Sequence, residues 1–295
     1  MPINVHLRTA VVGACAAALV GAPTLVSTAT AQQAAQQAAQ SASSQSARQS
    51  VTIVTKGDRI TAIRGTNGLR AGRISLTVAG RSAGTVEVVR FAKRYSYKKF
   101  LADFGRAFGP QGNMRALKRA IRKTNFIGGF PSGTTGTVVL PRAGKYTTFV
   151  FTDRPGRPET FRAGRVKRSP RPDVDARIVG KPGARWGGSR HLPAKGTFEL
   201  KNTAKDVPHF LVMQQVVEGT TKAQVMEALM SGDQGPPPWA LPAHLETSSL
   251  SPGNSMTVNY RLPRGQYVLL CFFPDPKMDG MPHALMGMIR MVHVR

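Results

Sequence analysis

Cysteine is nearly absent: the 295 residues include two, Cys15 and Cys271. The first falls in an N-terminal stretch, residues 1–31, with Arg8 in a short basic region, an apolar run from Ala10 to Val20 and Ala29-Thr30-Ala31 as a cleavage site, which reads as a secretory signal peptide. The mature chain is therefore expected to begin near Gln32, secreted or extracytoplasmic, with Cys271 alone. That excludes an internal disulfide and leaves stability to the core. A lone thiol in an oxidising compartment survives when it is buried or bound to something, so Cys271 needs a reason to be there.

Acidic residues are also scarce, 15 against 41 Lys and Arg for a formal charge of +26. Removing the leader with its one basic residue leaves 40 against 15, or +25. Such a field favours anionic partners, a redox partner or a cell-surface polyanion. Biased arginine use combined with solubility is the plainer reading, and export argues against nucleic acid. No run approaches the ~20 apolar residues of a transmembrane helix. Val12-Gly13-Ala14-Cys15 loosely resembles a lipoprotein cleavage box, but the apolar stretch continues past Cys15. Histidine is missing altogether between Gln32 and Arg190, which excludes an imidazole-held metal in that half of the chain.

What is present divides into a tail and two related halves. Residues 32–50, rich in Gln, Ala and Ser, read as a disordered spacer. Beyond it "ISLTVAGRSAGTVEVV" (Ile74 to Val89) lies over "FELKNTAKDVPHFLVM" (Phe198 to Met213) without gaps, and "TVVLPRAGKYTTFVF" (from Thr137) over "TVNYRLPRGQYVLLCF" (from Thr257) with one. Each half thus reads as a strand, a long connection, and a Pro/Gly turn into a strand with Tyr146 or Tyr267. The proline-broken, basic "VKRSPRPDV" (Val166 to Val174) marks the boundary, giving domains over 51–170 and 171–295. The connections carry helical signals: Phe100, Phe104 and Phe108, then Leu117 and Ile121, recur every four residues, and Thr221 with Gln224 forms a capping-box pattern. Between Arg90 and Lys123 there are eleven basic residues and one acidic, a solvated face or an anionic docking site. The expected fold is all-β with helical inserts, built as two tandem β-sandwiches.

In the second half the ends of the matched strands supply His209 and Cys271, and a loop follows with His283 and Met288. Two imidazoles, a thiolate and a weak thioether are the trigonal type 1 copper set, in which soft sulfur and borderline nitrogen suit both Cu(I) and Cu(II). Each residue also has a plainer reading: Cys271 as a small buried hydrophobe, the histidines as satisfied core residues, and Met286, Met288 and Met291 as core filling.

The second half resembles the cupredoxins, the plastocyanin, azurin and nitrite reductase class of blue-copper domains, over roughly Phe198 to Val294. "FELKNTAKDVPHFLVM" resembles the strand, Asn-containing turn and first ligand histidine; "LSPGNSMTVNYRLPRGQYVLLC" the Pro-Gly turn, Gly-x-Tyr and ligand cysteine; "HALMGM" the closing His-x4-Met. The resemblance implies two Greek-key cupredoxin-like sandwiches and one type 1 copper per chain, bound by His209, Cys271, His283 and Met288. It also implies that the first half, with Thr85 aligned to His209 and Val150 to Cys271, is a degenerate copy without ligands, expected to fold alone. Eleven residues separate Cys271 from His283, more than the family's usual loop, which leaves the site's exposure open.

Electron transfer is the leading function this implies. A multicopper oxidase would need His-x-His pairs and histidines flanking the copper cysteine; Leu270 and Phe272 flank it, and His-x-His does not occur. A nitrite-reductase-like enzyme would need a second, all-histidine site, for which His191, His244 and His293 are the candidates. A copper chaperone or buffer would use Met278, Met281, Met286, Met288 and Met291, since thioethers favour Cu(I). A metal-free adhesion or scaffold module is the third reading.

Overall fold

Apolar and polar residues alternate along "GRISLTV", and burial alternates with them: Ile74, Leu76 and Val78 face inward, while Arg73, Ser75 and Thr77 are half-exposed. This two-residue period is that of a strand with one face on a core, and it recurs through a chain that is mostly strand. The computed structural model describes residues 49–110, 112–231 and 235–295. The leader, Cys15 and the spacer lie outside the described residues, apart from Gln49 and Ser50, and Ser50 already opens the first strand.

The first half runs β1 (Ser50–Gly57), β2 (Arg59–Arg64), β3 (Gly72–Ser82), β4 (Thr85–Phe91), α1 (Tyr97–Phe108), α2 (Met114–Lys123), β5 (Thr124–Gly128), β6 (Thr135–Leu140), β7 (Gly144–Phe151) and β8 (Glu159–Ala163). Residues 165–175 carry no regular structure. The second half follows as β9 (Ala176–Lys181), β10 (Arg185–Gly188), β11 (His191–Leu192), β12 (Lys195–Asn202), β13 (Val212–Val216), α3 (Lys222–Ser231), β14 (Ala240–Glu246), β15 (Ser255–Arg261), β16 (Gly265–Leu270), β17 (Pro274–Asp275), β18 (Met281–Pro282) and β19 (Ile289–Val294).

The two halves repeat one strand order. β2-β1-β3-β6 corresponds to β10-β9-β12-β15, and β5-β4-β7-β8 to β14-β13-β16-β19, to which the short β11 is added. In both, the first and third strands pair parallel, β1 with β3 and β9 with β12. The helices of each half follow its fourth long strand and cover the outer face of the second sheet. Phe100 and Ala120 pack with Val89, Phe126 and Phe149 in the first half, and Val225 with Val216, Val268 and Ile289 in the second. The α3 capping box forms: Thr221 N–H donates to Gln224 Oε1 at 2.8 Å and Gln224 N–H to Thr221 Oγ1 at 3.3 Å.

The matched sequence segments prove to be more than single strands. Ile74 to Val89 runs through β3, crosses between sheets and enters β4, and Phe198 to Met213 does the same from β12 into β13. In the first sheet the alignment is in register: Ile74 pairs with Val138, and its counterpart Phe198 with Val258. In the second it slips by one residue at the crossing. Val86 pairs with Val150, whereas extending the Val212–Leu270 register one step places Leu211, not Phe210, opposite Cys271. The crossing that carries His209 therefore has no residue-for-residue match in the first half, and Gly84, Thr85 and Val86, which occupy the equivalent stretch, offer no soft metal ligand.

The halves are joined in a way the linear repeat did not announce. β6 pairs antiparallel with β15, fusing the two four-stranded sheets into one of eight strands. Thr137 faces Thr257, its own counterpart in the repeat, and their buried hydroxyls lie 2.9 Å apart. To either side Val138 faces Met256 and Gly136 faces Val258, each pair repeating the other with the halves exchanged, the pattern of a two-fold, self-complementary interface, here inside one chain. The principal core is shared as well: Val51, Ile53 and Leu76 of the first half belong to one cluster with Phe198, Cys271 and Met288 of the second. A first half expressed alone would expose that seam and an open edge strand, which argues against its folding independently.

Candidate metal centre

Three segments meet at one end of the second sandwich. β12 ends at Asn202, and residues 203–211 cross to β13 carrying His209. β16 ends at Leu270 and delivers Cys271. The chain then reverses through β17 and β18, paired Pro274 to Pro282 and Asp275 to Met281, and returns with His283 and Met288 into β19. The eleven-residue loop is thus an ordered hairpin. His283 N–H donates to Phe273 O at 3.0 Å, Ala284 N–H to Cys271 O at 2.7 Å and Met288 N–H to His283 O at 2.9 Å.

His209, Cys271 and His283 come together fully buried, each at most 1% exposed. Cys271 Sγ lies 3.7 Å from His209 Nδ1 and 3.5 Å from His283 Nδ1, and the two Nδ1 atoms are 3.1 Å apart. A point equidistant from the corners of that triangle is about 2.0 Å from each, close to an imidazole–metal bond of about 2.0–2.1 Å. Both Nε2 atoms are buried without a hydrogen-bond partner among the described residues. Neither ring is therefore held by a hydrogen bond at its far nitrogen, and the near nitrogens converge on the thiol. Burial pushes His209 down to about 3, reinforced by His283, and pushes His283 down to about 4. Both rings are neutral at ordinary pH, the form that ligates. Lone-pair donors this close repel one another unless a proton or a cation sits between them. The set fits a thiophilic ion, and it is of the type 1 copper class. Met288 is buried in the same cluster as Cys271, the fourth member of that set.

Residues beyond the four donors hold this arrangement. Asn202, 1% exposed, donates from Nδ2 to Val207 O at 2.9 Å and to Leu250 O at 2.8 Å, while its Oδ1 accepts from Ala204 N–H at 2.9 Å. Leu250 in turn exchanges two backbone hydrogen bonds with His209, at 3.1 and 2.7 Å. Gly180 of β9 leaves room for the His209 ring, since a Cβ there would stand 2.6 Å from His209 Cδ2. Trp186 and Phe273 pack near His209 and His283, ring centroids 6.1 Å apart in both pairs. Asn202 lies in the turn already quoted, and its type was the available clue; Gly180 has no counterpart signal.

The first half touches the site's supports. Phe126 meets Phe273 edge-on with centroids 6.3 Å apart, and Ile127 bridges to Leu250, the residue that pairs with His209. Ser248 Oγ donates to Val86 O at 2.6 Å, and Ser249 N–H donates to the buried Glu87 Oε1 at 3.0 Å. The other histidines stand apart. His191 and His293 pair across β11 and β19 at 6.0 Å between centroids, with Glu218 3.2 Å from His293 Nε2, and the exposed His244 is on β14. Among the described residues the only cluster of three His, Cys, Asp or Glu with ligand-like spacing is His209, Cys271 and His283.

No family model and no curated protein matches the chain. Among solved structures it is similar to reduced auracyanin from Roseiflexus castenholzii, 24% identical over 40% of this chain and 94% of that one, with a TM-score of 0.28. It is also similar to a multicopper oxidase, 12% identical over 83% of this chain and 88% of that one, TM-score 0.24. A copper nitrite reductase from Nitrosomonas europaea is 10% identical over 83% of this chain and 93% of that one, TM-score 0.23. The resemblance of the second half to cupredoxins is carried by the donor set His209, Cys271, His283 and Met288. No helix among the described residues is long and apolar enough to cross a membrane.

Proposed function

We propose that this is an exported copper protein that transfers electrons through one type 1 site, which His209 Nδ1, His283 Nδ1 and Cys271 Sγ would hold with Met288 as a weak fourth donor. The observation that carries the reading is the convergence of the three donors in a place closed to water. Bound copper supplies a one-electron couple there. The chain supplies the rest: neutral imidazoles, a thiol on the end of a strand, and a loop tied by backbone hydrogen bonds, so that the donors move little as charge changes. The absence of His-x-His and of histidine in the first half speaks against a trinuclear oxidase cluster. Loaded with Cu(II) and freed of loose metal, the protein is expected to retain one equivalent and show an intense thiolate-to-copper band. Zero or two equivalents, or a colourless complex, would reject the proposal.

A copper-carrying role is the second reading, and one observation favours it. Met278 and Met281 on the hairpin are 48% and 36% exposed, outside the buried site, where thioethers could hold Cu(I) in transit. For an electron carrier, the Met278→Leu, Met281→Leu double variant should keep the native colour, potential and rate of Cu(I) transfer to a chelator. A large loss of transfer rate with an unchanged potential would favour the carrier.

A further inference from the structure

We infer that the basic face of α2, in the half without ligands, is a docking surface for an acidic redox protein. This rests on the electron-transfer reading and adds the partner's chemistry and its place.

The stretch from Arg90 to Lys123 has a single carboxylate, Asp103, and it is consumed internally. Asp103 is 1% exposed and accepts from Arg119 Nε at 2.8 Å, from Arg119 Nη2 at 2.6 Å, from Tyr95 Oη at 2.9 Å and from Arg106. The guanidinium of Arg119, aided by Arg106 and Tyr95, holds that carboxyl far below the usual range. With the counter-charge turned inward, the outer face has none of its own. Arg115, Lys118, Arg119 and Arg122 fall at i, i+3, i+4 and i+7, are all exposed, and together line one surface depression. They span roughly 10 Å of helix, enough to meet one acidic patch.

The position of this face beside the site is what gives it a redox reading. Met114, the first residue of α2, has its Sδ and Cε 3.2 Å from where a Cβ on Gly280 would lie, at the tip of the ligand-loop hairpin. The other end of α2 runs directly into β5, whose Phe126 packs on Phe273, the residue that stands against His283. The donors themselves are at most 1% exposed, so a partner must approach over the surface around their loop, and α2 borders it. The surplus charge along that border selects an acidic protein and speeds its encounter.

The test compares the native protein with Arg115→Glu, Lys118→Glu, Arg122→Glu, leaving Arg119 to hold Asp103. The control is Lys56→Glu, Arg59→Glu, Arg64→Glu on β1 and β2, which changes net charge equally. Copper-loaded samples are first checked for the visible band; its absence would refute the electron-transfer reading and the redox role of α2 with it. One-electron reduction is then followed with hexacyanoferrate(II), which becomes hexacyanoferrate(III), and with the cation hexaammineruthenium(II). Binding of poly-L-glutamate is measured separately by calorimetry, with and without copper. The α2 variant should react with hexacyanoferrate(II) on the order of tenfold more slowly at low salt, lose poly-L-glutamate binding, and react with the ruthenium complex no more slowly. The control should stay within about twofold of native for both reagents. Equal slowing in the control, no slowing in the α2 variant, or undiminished poly-L-glutamate binding would each overturn the inference while the blue band stood.

Discussion

Replacing Cys271 with Ser should abolish the thiolate-to-copper band and remove copper's effect on stability. An ion that binds the folded chain and not the unfolded one stabilises it by RT ln(1 + [L]/Kd), about 4 kcal/mol at ~1,000 times the Kd. For a chain of this size that is on the order of 10 °C in Tm. The native protein should therefore melt roughly that much higher with copper than without, and Cys271→Ser should melt alike in both conditions. Without copper the variant loses little, since the hydroxyl still has His209 Nδ1 and His283 Nδ1 as acceptors where Sγ lies 3.7 and 3.5 Å from them. The plainer reading of Cys271, a small hydrophobe filling a core strand, predicts the reverse: a loss of stability in the metal-free protein and no copper-dependent difference to lose. Melting curves of both proteins with and without Cu(II) separate the two.

Much of the site was legible because its residue types are rare in this chain. With six histidines in 295 residues, two of them at strand and loop positions around Cys271, the one cysteine among the described residues, stand out from composition. The helical inserts were legible through a four-residue period and a capping box, although the Phe100, Phe104, Phe108 stripe is only partly a core stripe: Phe100 is buried, while Phe108 is 40% exposed and lies tilted against Phe104. The fused sheet was not legible. Pairing of β6 with β15 is specified by backbone hydrogen bonds and by two threonines, and nothing in "TGTVV" or "SMTVNY" distinguishes a partner in the other half from one in its own. The one-residue slip at the crossing escaped for a related reason: a gap in a loop costs nothing in a pattern of apolar positions, yet it decides which residue stands opposite Cys271. The long ligand loop was a question that sequence left open, and the β17–β18 hairpin with its Lys277–Asp206 ion pair answers it: the added residues build a projection, and the donors stay closed beneath it.

Asn202→Ala should cost both stability and metal retention, because one buried amide serves two purposes. Its three hydrogen bonds, to Val207 O, Leu250 O and from Ala204 N–H, close the crossing that carries His209. Alanine leaves two carbonyls and one N–H without this partner in a place water reaches poorly. Each such loss costs about 1–3 kcal/mol, less where the loop relaxes, so about 2–4 kcal/mol is expected in total. The second effect follows from Leu250. It accepts from Asn202 with the same carbonyl that receives His209 N–H, so loosening the amide frees the backbone of a ligand histidine. The expected result is a lowered denaturant midpoint with an unchanged slope, together with loss of copper to a chelator at least ~10 times faster, in line with the usual cost of disturbing a ligand's supports. Thr137→Val is the control, since it removes a buried hydroxyl contact at the seam between halves, away from the ligand loops, and should lower the midpoint without hastening copper loss. If the two variants release copper alike once matched for stability, Asn202 supports the fold only. If Asn202→Ala alone releases it fast, the turn before His209 is part of the metal site.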